Sequence, residues 1–281
     1  MKKHKGSWLI LLVIVYQFIL IIGVSVGLAI SGYTEAELHA FFGSLNFVAL
    51  IQVTGLGLPA LIYLLVTRPN LKQCLSLRSL SLKKLGLVTG ISFCALPMGF
   101  LLSSFTSLFV NNNMGEMMVD TAFSYPLWAM LVVIGVLPSL FEEILFRGIV
   151  YRAYDYLPIH RGAMINGLLF GLIHLDIHQF FYAFAFGVLL TYLVFYTGSI
   201  LAPILSHFIL NGMNVLLVYL AVLFDDFSEE AYVVAEEPSA LAIVIGAGIA
   251  SLVVLPLFIL LMKKLRALHD AQTEMVGIST S

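Results

Sequence analysis

Two adjacent glutamates lie at the end of an apolar stretch, and an arginine follows four residues after the second. They are Glu142 and Glu143 in Phe-Glu-Glu-Ile-Leu-Phe-Arg, which ends at Arg147. On a helix Glu143 and Arg147 are one turn apart and can form an ion pair, whereas Glu142 points about 100° away. A buried carboxylate without a cationic partner is suited to act as a general base. The alternative is an interfacial Glu–Arg pair that only ends a helix.

Two histidine motifs follow further along the chain. Phe170 and His174 are four residues apart, as are His207 and Asn211. This spacing places each pair on one face of a helix, so each pair can point toward one site. Ionisable groups in apolar segments are costly and therefore indicate function. The alternative for each motif is a hydrogen bond that only holds two helices together.

Small residues lie beside the first histidine motif. Gly167 and Gly171 form a Gly-x-x-x-Gly pattern, which allows two helices to approach closely. Asn166 extends the face of Phe170 and His174 by one turn. The segment is therefore expected to pack tightly against a neighbouring helix.

The composition shows what kind of protein positions these residues. The chain has 281 residues, of which 14 are Lys or Arg and 16 are Asp or Glu, and 60% are hydrophobic. The charged fraction of 11% and the mean hydropathy of +1.02 exclude a soluble globular protein and a disordered one. A net charge of −2 argues against a nucleic-acid partner, which needs a basic face. Two cysteines do not make a disulfide framework.

Charge-free stretches predict an all-α, polytopic membrane protein with about eight transmembrane helices around an intramembrane cavity. The stretch Gly162–Leu175 is short, and omitting it leaves seven spans. The eight predicted spans are Trp8–Ile30, Asn46–Thr67, Leu85–Val110, Ser124–Phe141, Gly162–Leu175, Gln179–Tyr196, Ser199–Phe224 and Pro238–Met262.

The distribution of charge predicts the orientation. With eight spans and a cytoplasmic N-terminus, all 14 Lys and Arg residues lie on the cytoplasmic side, and 11 acidic residues lie outside. We therefore expect a multi-pass protein of the cell membrane with both termini in the cytoplasm. The first apolar run exceeds 20 residues, so a retained helix is favoured over a signal peptide.

The chain divides along its length into three regions of one integral membrane domain. Residues 1–123 form an N-terminal three-helix region, and residues 124–222 form the predicted catalytic core. Residues 223–281 hold an acidic external loop, the last transmembrane helix and the cytoplasmic tail.

Taken together, the three motifs resemble those of the CPBP (CAAX protease and bacteriocin-processing, or Abi) family of intramembrane proteases. The resemblance covers about 124–220, and each motif is on a predicted span. The matching motifs are Glu142-Glu143-x-x-x-Arg147, Phe170-x-x-x-His174 and His207-x-x-x-Asn211.

This resemblance implies an intramembrane endopeptidase that cleaves a membrane-associated or lipidated peptide or protein. By motif position, Glu142 would activate a water molecule and His174 would help to hold it. His207 and Asn211 would form the oxyanion hole, while the second glutamate and the arginine would shape the site.

Three alternatives stay open at the level of sequence. Two histidines and one or two glutamates could bind zinc, although Asn is a poor zinc ligand and a metal-free glutamic protease is favoured. The fold could instead serve a non-proteolytic bacteriocin-immunity or scaffold protein. A transporter is disfavoured, because the polar groups cluster at one depth.

Overall fold

The computed structural model describes residues 5–228 and 239–275, and these residues are overwhelmingly helical. Seven helices within these ranges are long and apolar enough to cross a membrane. The protein is therefore a multi-pass all-α membrane protein, as the charge-free stretches predict. Lys2 and Lys3 lie outside the described residues, as do Glu229, Glu230, Glu236 and Glu237 of the predicted acidic loop.

The described helices are numbered in chain order. They are α1 (Lys5–Ile30), α2 (Glu35–Phe42), α3 (Leu45–Thr67), α4 (Leu71–Cys74), α5 (Leu82–Ser107), α6 (Asn113–Ser124), α7 (Leu127–Ala153), α8 (Ile159–Leu172), α9 (Ile177–Thr197), α10 (Leu201–Ser228) and α11 (Ala240–Met275).

Each long helix corresponds to one of the predicted spans. The remaining predicted span, Gly162–Leu175, forms α8, which has only 14 residues. Eight apolar helical segments are thus present in the described ranges, and the one that is short in sequence is also short as a helix. The final helix α11 runs 13 residues past the predicted end of its span at Met262.

The chain forms two compact units that interleave along the sequence. The first contains the described residues within Met1–Asn70, Asn112–Tyr154 and Asn211–Ala235. The second contains those within Leu71–Asn111, Asp155–Leu210 and Glu236–Ser281.

Two helices of the first unit contain wide turns just before a proline. In α3, residues Ile51–Gly57 adopt π-helical geometry and Pro59 follows. In α7, residues Leu131–Val136 do the same before Pro138. Proline lacks an N–H and its ring crowds the carbonyl four residues earlier. A wider turn just before each proline makes room for the ring, and such π segments are frequent at functional sites.

Glycines join α8 and α9 in the second unit. A Cβ added at Gly167 would lie 2.6 Å from a Val188 side-chain carbon and 2.9 Å from the backbone oxygen of Phe184. A Cβ at Gly171 would lie 3.0 Å from the backbone oxygen of Phe180. The close helix contact predicted from the Gly-x-x-x-Gly pattern is confirmed. In a membrane such packing holds helices together, because lipid provides little hydrophobic drive for their association.

A buried lysine aligns the ends of three helices in the second unit. Lys84 lies in the first turn of α5, and its ammonium donates to the carbonyl of Thr197 at 3.0 Å and to Oε1 of Gln272 at 2.8 Å. The start of α5, the end of α9 and the last part of α11 therefore lie at one end of this unit. A cation at the end of α9 also complements the dipole of that helix.

The glycine contact gives a prediction about stability. We expect Gly167→Ala to lower the thermal unfolding midpoint in detergent clearly, because part of the added methyl faces backbone atoms that cannot move aside. Unfolding can be followed with a thiol-reactive dye, since Cys74 and Cys94 are buried.

The matched control is Gly86→Ala in α5 of the same unit. No atom lies within 4 Å of a Cβ added at Gly86. Its midpoint should stay within about 2 °C of wild type or rise slightly, because alanine is the better helix former. Equal midpoints for the two variants would contradict the proposed contact.

Candidate active site

The second glutamate is neutralised inside the first unit. Arg147 Nη1 donates to Glu143 Oε1 at 2.8 Å, and both side chains are fully buried. The pairing expected from their i, i+4 spacing is confirmed. The carboxylate of Glu143 is therefore held by a charge-assisted hydrogen bond in a site without solvent.

The first glutamate has a different partner. Glu142 is 6% exposed, and its Oε1 accepts a hydrogen bond from Gln52 Nε2 of α3 at 3.3 Å. Its other oxygen, Oε2, is buried and has no donor among the described residues. Glu142 makes no salt bridge within the described residues, but it is not unpaired, since Gln52 donates to it and the charge of Arg147 also acts on it, more weakly than on Glu143. A neutral amide orients the carboxylate without cancelling its charge.

Gln52 was missed at the sequence level, although it left a signal. It is the one amide side chain in the interior of the second apolar span, where each polar group is a candidate for function. Nothing in the local pattern indicated that its partner lies 90 residues away.

The glutamate pair directly follows the predicted span Ser124–Phe141 and lies inside its helix, which the sequence predicts to continue to about Tyr154. Helix α7 continues through a second π segment, Ile144–Val150, and ends at Ala153. In the sequence Glu142 ends the charge-free run, and Arg147 is a further charge within the same helix. In the folded chain its charge is met by Glu143, so the residues around it remain buried.

Asn211 holds α10 to α7 within the first unit. Its Nδ2 donates to the carbonyl of Ile134 at 3.1 Å. Pro138 lies four residues after Ile134 and has no N–H to give to that carbonyl, so the usual α-helical donor is missing at the carbonyl that Asn211 contacts. The amide nitrogen carries two hydrogens, and this bond uses one of them.

His174 lies in the turn after α8. The helix ends at Leu172, and Leu175 has a positive φ of 54°, which directs the chain away from the helix axis. His174 Nδ1 lies 2.8 Å from the carbonyl oxygen of Phe170. A carbonyl can only accept, so Nδ1 carries a proton, and Nε2 is the acceptor in the neutral form of the ring. In this tautomer Nε2 can accept a hydrogen bond from a water molecule.

The ring of Phe170 contacts both histidines of the second unit. Its centroid lies 5.2 Å from that of His174 and 5.8 Å from that of His207, each in an edge-to-face arrangement. Phe170 is 3% exposed and His207 is 6% exposed. The four-residue spacing of Phe170 and His174 thus has a packing role, since one aromatic ring contacts two imidazoles.

Helix α5 contacts Ser206, the residue just before His207 on α10. The hydroxyls of Ser206 and Ser92 are 2.8 Å apart and join α10 to α5. Asn166, at the far end of the motif face on α8, accepts a hydrogen bond from Thr191 of α9 at 3.1 Å. These buried polar contacts fix the helices that carry the imidazoles.

The predicted site residues therefore form two groups. Glu142, Glu143, Arg147 and Asn211 belong to the first unit, and His174 and His207 belong to the second. Helix α10 is continuous across the boundary, so His207 and Asn211 stay one turn apart as their spacing predicts.

The donor groups do not fit a metal ion in the described part of the chain. No group of three or more His, Cys, Asp or Glu side chains there is arranged to hold one. The carboxylates are engaged by Gln52 and Arg147, and zinc requires at least three protein ligands. The metal-free alternative stays a prediction.

Comparison with known proteins agrees with the motifs. Residues 124–213 match the family model described as type II CAAX prenyl endopeptidase Rce1-like. The resemblance to the CPBP family is therefore confirmed. The matched segment lies within the predicted catalytic core and contains all six candidate site residues, whereas Gln52 lies outside it.

A Bacillus subtilis (strain 168) protein named "Putative membrane peptidase YdiL" is also similar. It is 27% identical over 103 residues, which cover 36% of this chain and 41% of that protein. The similarity thus spans less than half of either protein. No solved structure gives a significant match.

The buried ion pair gives a second stability prediction. Arg147→Met should lower the free energy of unfolding by about 3–5 kcal/mol, because the buried charge of Glu143 loses its cationic partner. The double variant Glu143→Gln/Arg147→Met should regain much of that loss, because neither charge then remains. The measurement is the unfolding midpoint in detergent.

The control is a solvent-exposed pair with the same spacing. Arg266 and Asp270 are 3.6 Å apart and 66% and 46% exposed, so Arg266→Met should cost no more than about 1 kcal/mol. A double variant no more stable than Arg147→Met alone would show that the pair does not act as a unit.

Proposed function

We propose that this protein is an intramembrane endopeptidase that hydrolyses a peptide bond in a membrane-associated or lipidated peptide or protein. The observation that carries the proposal is the state of Glu142. This carboxylate is buried, is oriented by a neutral amide and keeps one oxygen without a protein donor. The family match over 124–213 and the apolar helices around the carboxylate support the same function.

In the proposed mechanism Glu142 acts as the general base. It takes a proton from a water molecule whose oxygen attacks the carbonyl carbon of the scissile bond. Nε2 of His174 accepts the other hydrogen of that water and keeps its lone pair directed. The proton on Glu142 then passes to the amide nitrogen as the C–N bond breaks. The products are a new carboxyl terminus and a new amino terminus.

His207 and Asn211 serve as oxyanion donors in this proposal. Both lie on α10 with helical i, i+4 spacing, and the asparagine has a second N–H beyond the one given to Ile134. Donors of this kind stabilise the negative charge that develops on the carbonyl oxygen. Glu143 and Arg147 are positioning residues, because their mutual ion pair leaves Glu142 as the reactive carboxylate.

We also propose that both termini face the cytoplasm of a cell membrane. The basic residues of the sequence support this orientation by the positive-inside rule. The contacts of Lys84 are consistent with this orientation. They place the start of α5, the end of α9 and the last part of α11 at one end of the second unit. A site reached from the cytoplasm would suit substrates that carry a lipid or a membrane segment.

The proposed activity can be tested without a known substrate. We expect Glu142→Gln to lower cleavage by roughly 100-fold or more, because the variant has no general base. The measurement compares new N-termini in membranes of cells that carry wild type or Glu142→Gln at equal protein levels. Termini that depend on wild type identify the substrates.

Glu116→Gln is the matched control. Glu116 is an exposed glutamate of the same unit, so its variant should give the wild-type profile. Identical profiles for wild type and Glu142→Gln would contradict the proposed function.

The proposed mechanism also predicts behaviour toward chelators. Purified protein should keep its cleavage rate within about twofold in excess chelator, because glutamate and histidine perform each proton step. Elemental analysis of the active preparation supplies an independent readout. Stoichiometric zinc, with loss of cleavage on its removal and recovery on its return, would replace this mechanism with a zinc-dependent one.

A further inference from the structure

We propose that Gln52 positions both the Glu142 carboxylate and the attacking water, and is thus a third element of the hydrolytic site beside the glutamate and the histidines. The inference rests on the proposed function. It adds a residue from outside the segment that matches the family model.

The contact itself is specific. Gln52 and Glu142 lie on α3 and α7 of the first unit, and the Nε2–Oε1 hydrogen bond of 3.3 Å joins them across 90 residues of sequence. This amide is the one described donor to either oxygen of Glu142. The carboxylate therefore depends on this contact for its orientation.

The backbone of α3 is built for this approach. Gln52 is the second residue of the π segment Ile51–Gly57, whose wide turns change the direction of the side chains. A Cβ added at Gly57 would lie 3.0 Å from the ring of Phe141, the residue just before Glu142. A small residue at this position thus lets α7 come close enough for the amide to reach the carboxylate.

The polar atoms of the pair include two acceptors that a water molecule could satisfy. Oε1 of Gln52 and Oε2 of Glu142 are both buried acceptors that receive no hydrogen bond within the described ranges. Each belongs to the same group as an atom of the 3.3 Å hydrogen bond, so the two groups face each other. A buried water needs two or more polar partners. One hydrogen of a water here lies on Oε2 of Glu142, and the second, which the proposed mechanism gives to Nε2 of His174, is shared with Oε1 of Gln52 as a three-centre hydrogen bond. A water held in this way keeps a lone pair for attack.

A neutral donor suits a general base better than a cation does. Arg147 holds one oxygen of Glu143 in a charge-assisted ion pair, so a cation engages that carboxylate. Gln52 donates to Glu142 as a neutral amide, whereas the charge of Arg147 acts on Glu142 more weakly than on Glu143. The adjacent glutamates thus differ in role because their partners differ in charge.

The test uses Gln52→Met, which keeps the side-chain length and removes both the donor and the acceptor. The assay is cleavage of a quenched-fluorescent peptide, built on a site where Glu142-dependent new N-termini appear, by full-length protein in lipid vesicles. We expect kcat to fall about 10- to 100-fold with KM within about threefold, because the variant misplaces the reacting groups.

Gln17→Met is the matched control. Gln17 is a buried glutamine of α1 whose amide lies against Gly55 in the same π segment, and no hydrogen bond joins it to Glu142. Its variant should keep kcat within about threefold of wild type. If kcat falls equally in both variants, and the unfolding midpoint falls with it, Gln52 only stabilises the fold and the proposal is overturned.

Gln52→Glu supplies a readout that a structural role would not move. A protonated carboxyl group offers one donor and one acceptor, as the amide does, whereas the ionised group offers no donor and repels Glu142. The ratio of its rate to the wild-type rate should therefore rise as the pH falls. A ratio that does not change with pH overturns the proposal.

The outcomes separate this inference from the proposed function. Glu142-dependent cleavage that persists at the wild-type rate in Gln52→Met overturns the role of Gln52 alone. Cleavage that does not depend on Glu142 overturns the endopeptidase mechanism, and the role of Gln52 is lost with it.

Discussion

The ion pair between Glu143 and Arg147 is the interaction on which the arrangement of the buried glutamates depends. Two adjacent carboxylates in a region without solvent would repel each other, and each would be costly to bury alone. The arginine neutralises one of them at 2.8 Å, with both side chains fully buried. Glu142 can then occupy the same helix with a neutral partner. The pair also explains how α7 continues past an arginine without leaving the buried region.

Irregular backbone geometry in the same helices shapes the surroundings of these groups. Wide turns precede Pro59 in α3 and Pro138 in α7, and the proline in α7 leaves a carbonyl that Asn211 meets from α10. Within a membrane such irregularity is tolerated where side chains satisfy the backbone again. The features that weaken the helices locally are therefore the ones that aim Gln52 and anchor Asn211. In the second unit α8 and α9 are regular helices, and glycines on α8 let the two helices pack closely.

The elements of the fold were largely predictable because local patterns encode them. The length of the charge-free stretches predicted the spans. The spacing of the glycines predicted the close contact of α8 with α9, and the i, i+4 spacing predicted the ion pair of Glu143 with Arg147. The hydrogen bond from Gln52 to Glu142 was not predictable, since it depends on tertiary packing between residues 90 apart. The turn that holds His174 was missed as well, because the apolar run continues to Leu175 and hides the end of the helix.

The roles of the six motif residues rest on where they occur in the motifs and on the chemistry of their contacts. The family match covers all of them, yet it covers under half of the chain. The partners of the carboxylates add what the motif alone lacks, a physical reason for two neighbouring glutamates to differ. We propose that Glu142 is the reactive carboxylate and that Glu143 has a structural role.

One comparison tests that division of roles most directly. Glu142→Gln and Glu143→Gln are purified, reconstituted in vesicles, and assayed for both cleavage and unfolding midpoint. The account predicts that Glu142→Gln loses cleavage but keeps a midpoint close to wild type, whereas Glu143→Gln lowers the midpoint because Arg147 is left buried without its counter-charge. Retained cleavage in Glu142→Gln, or an equal loss of stability in the two variants, would contradict it.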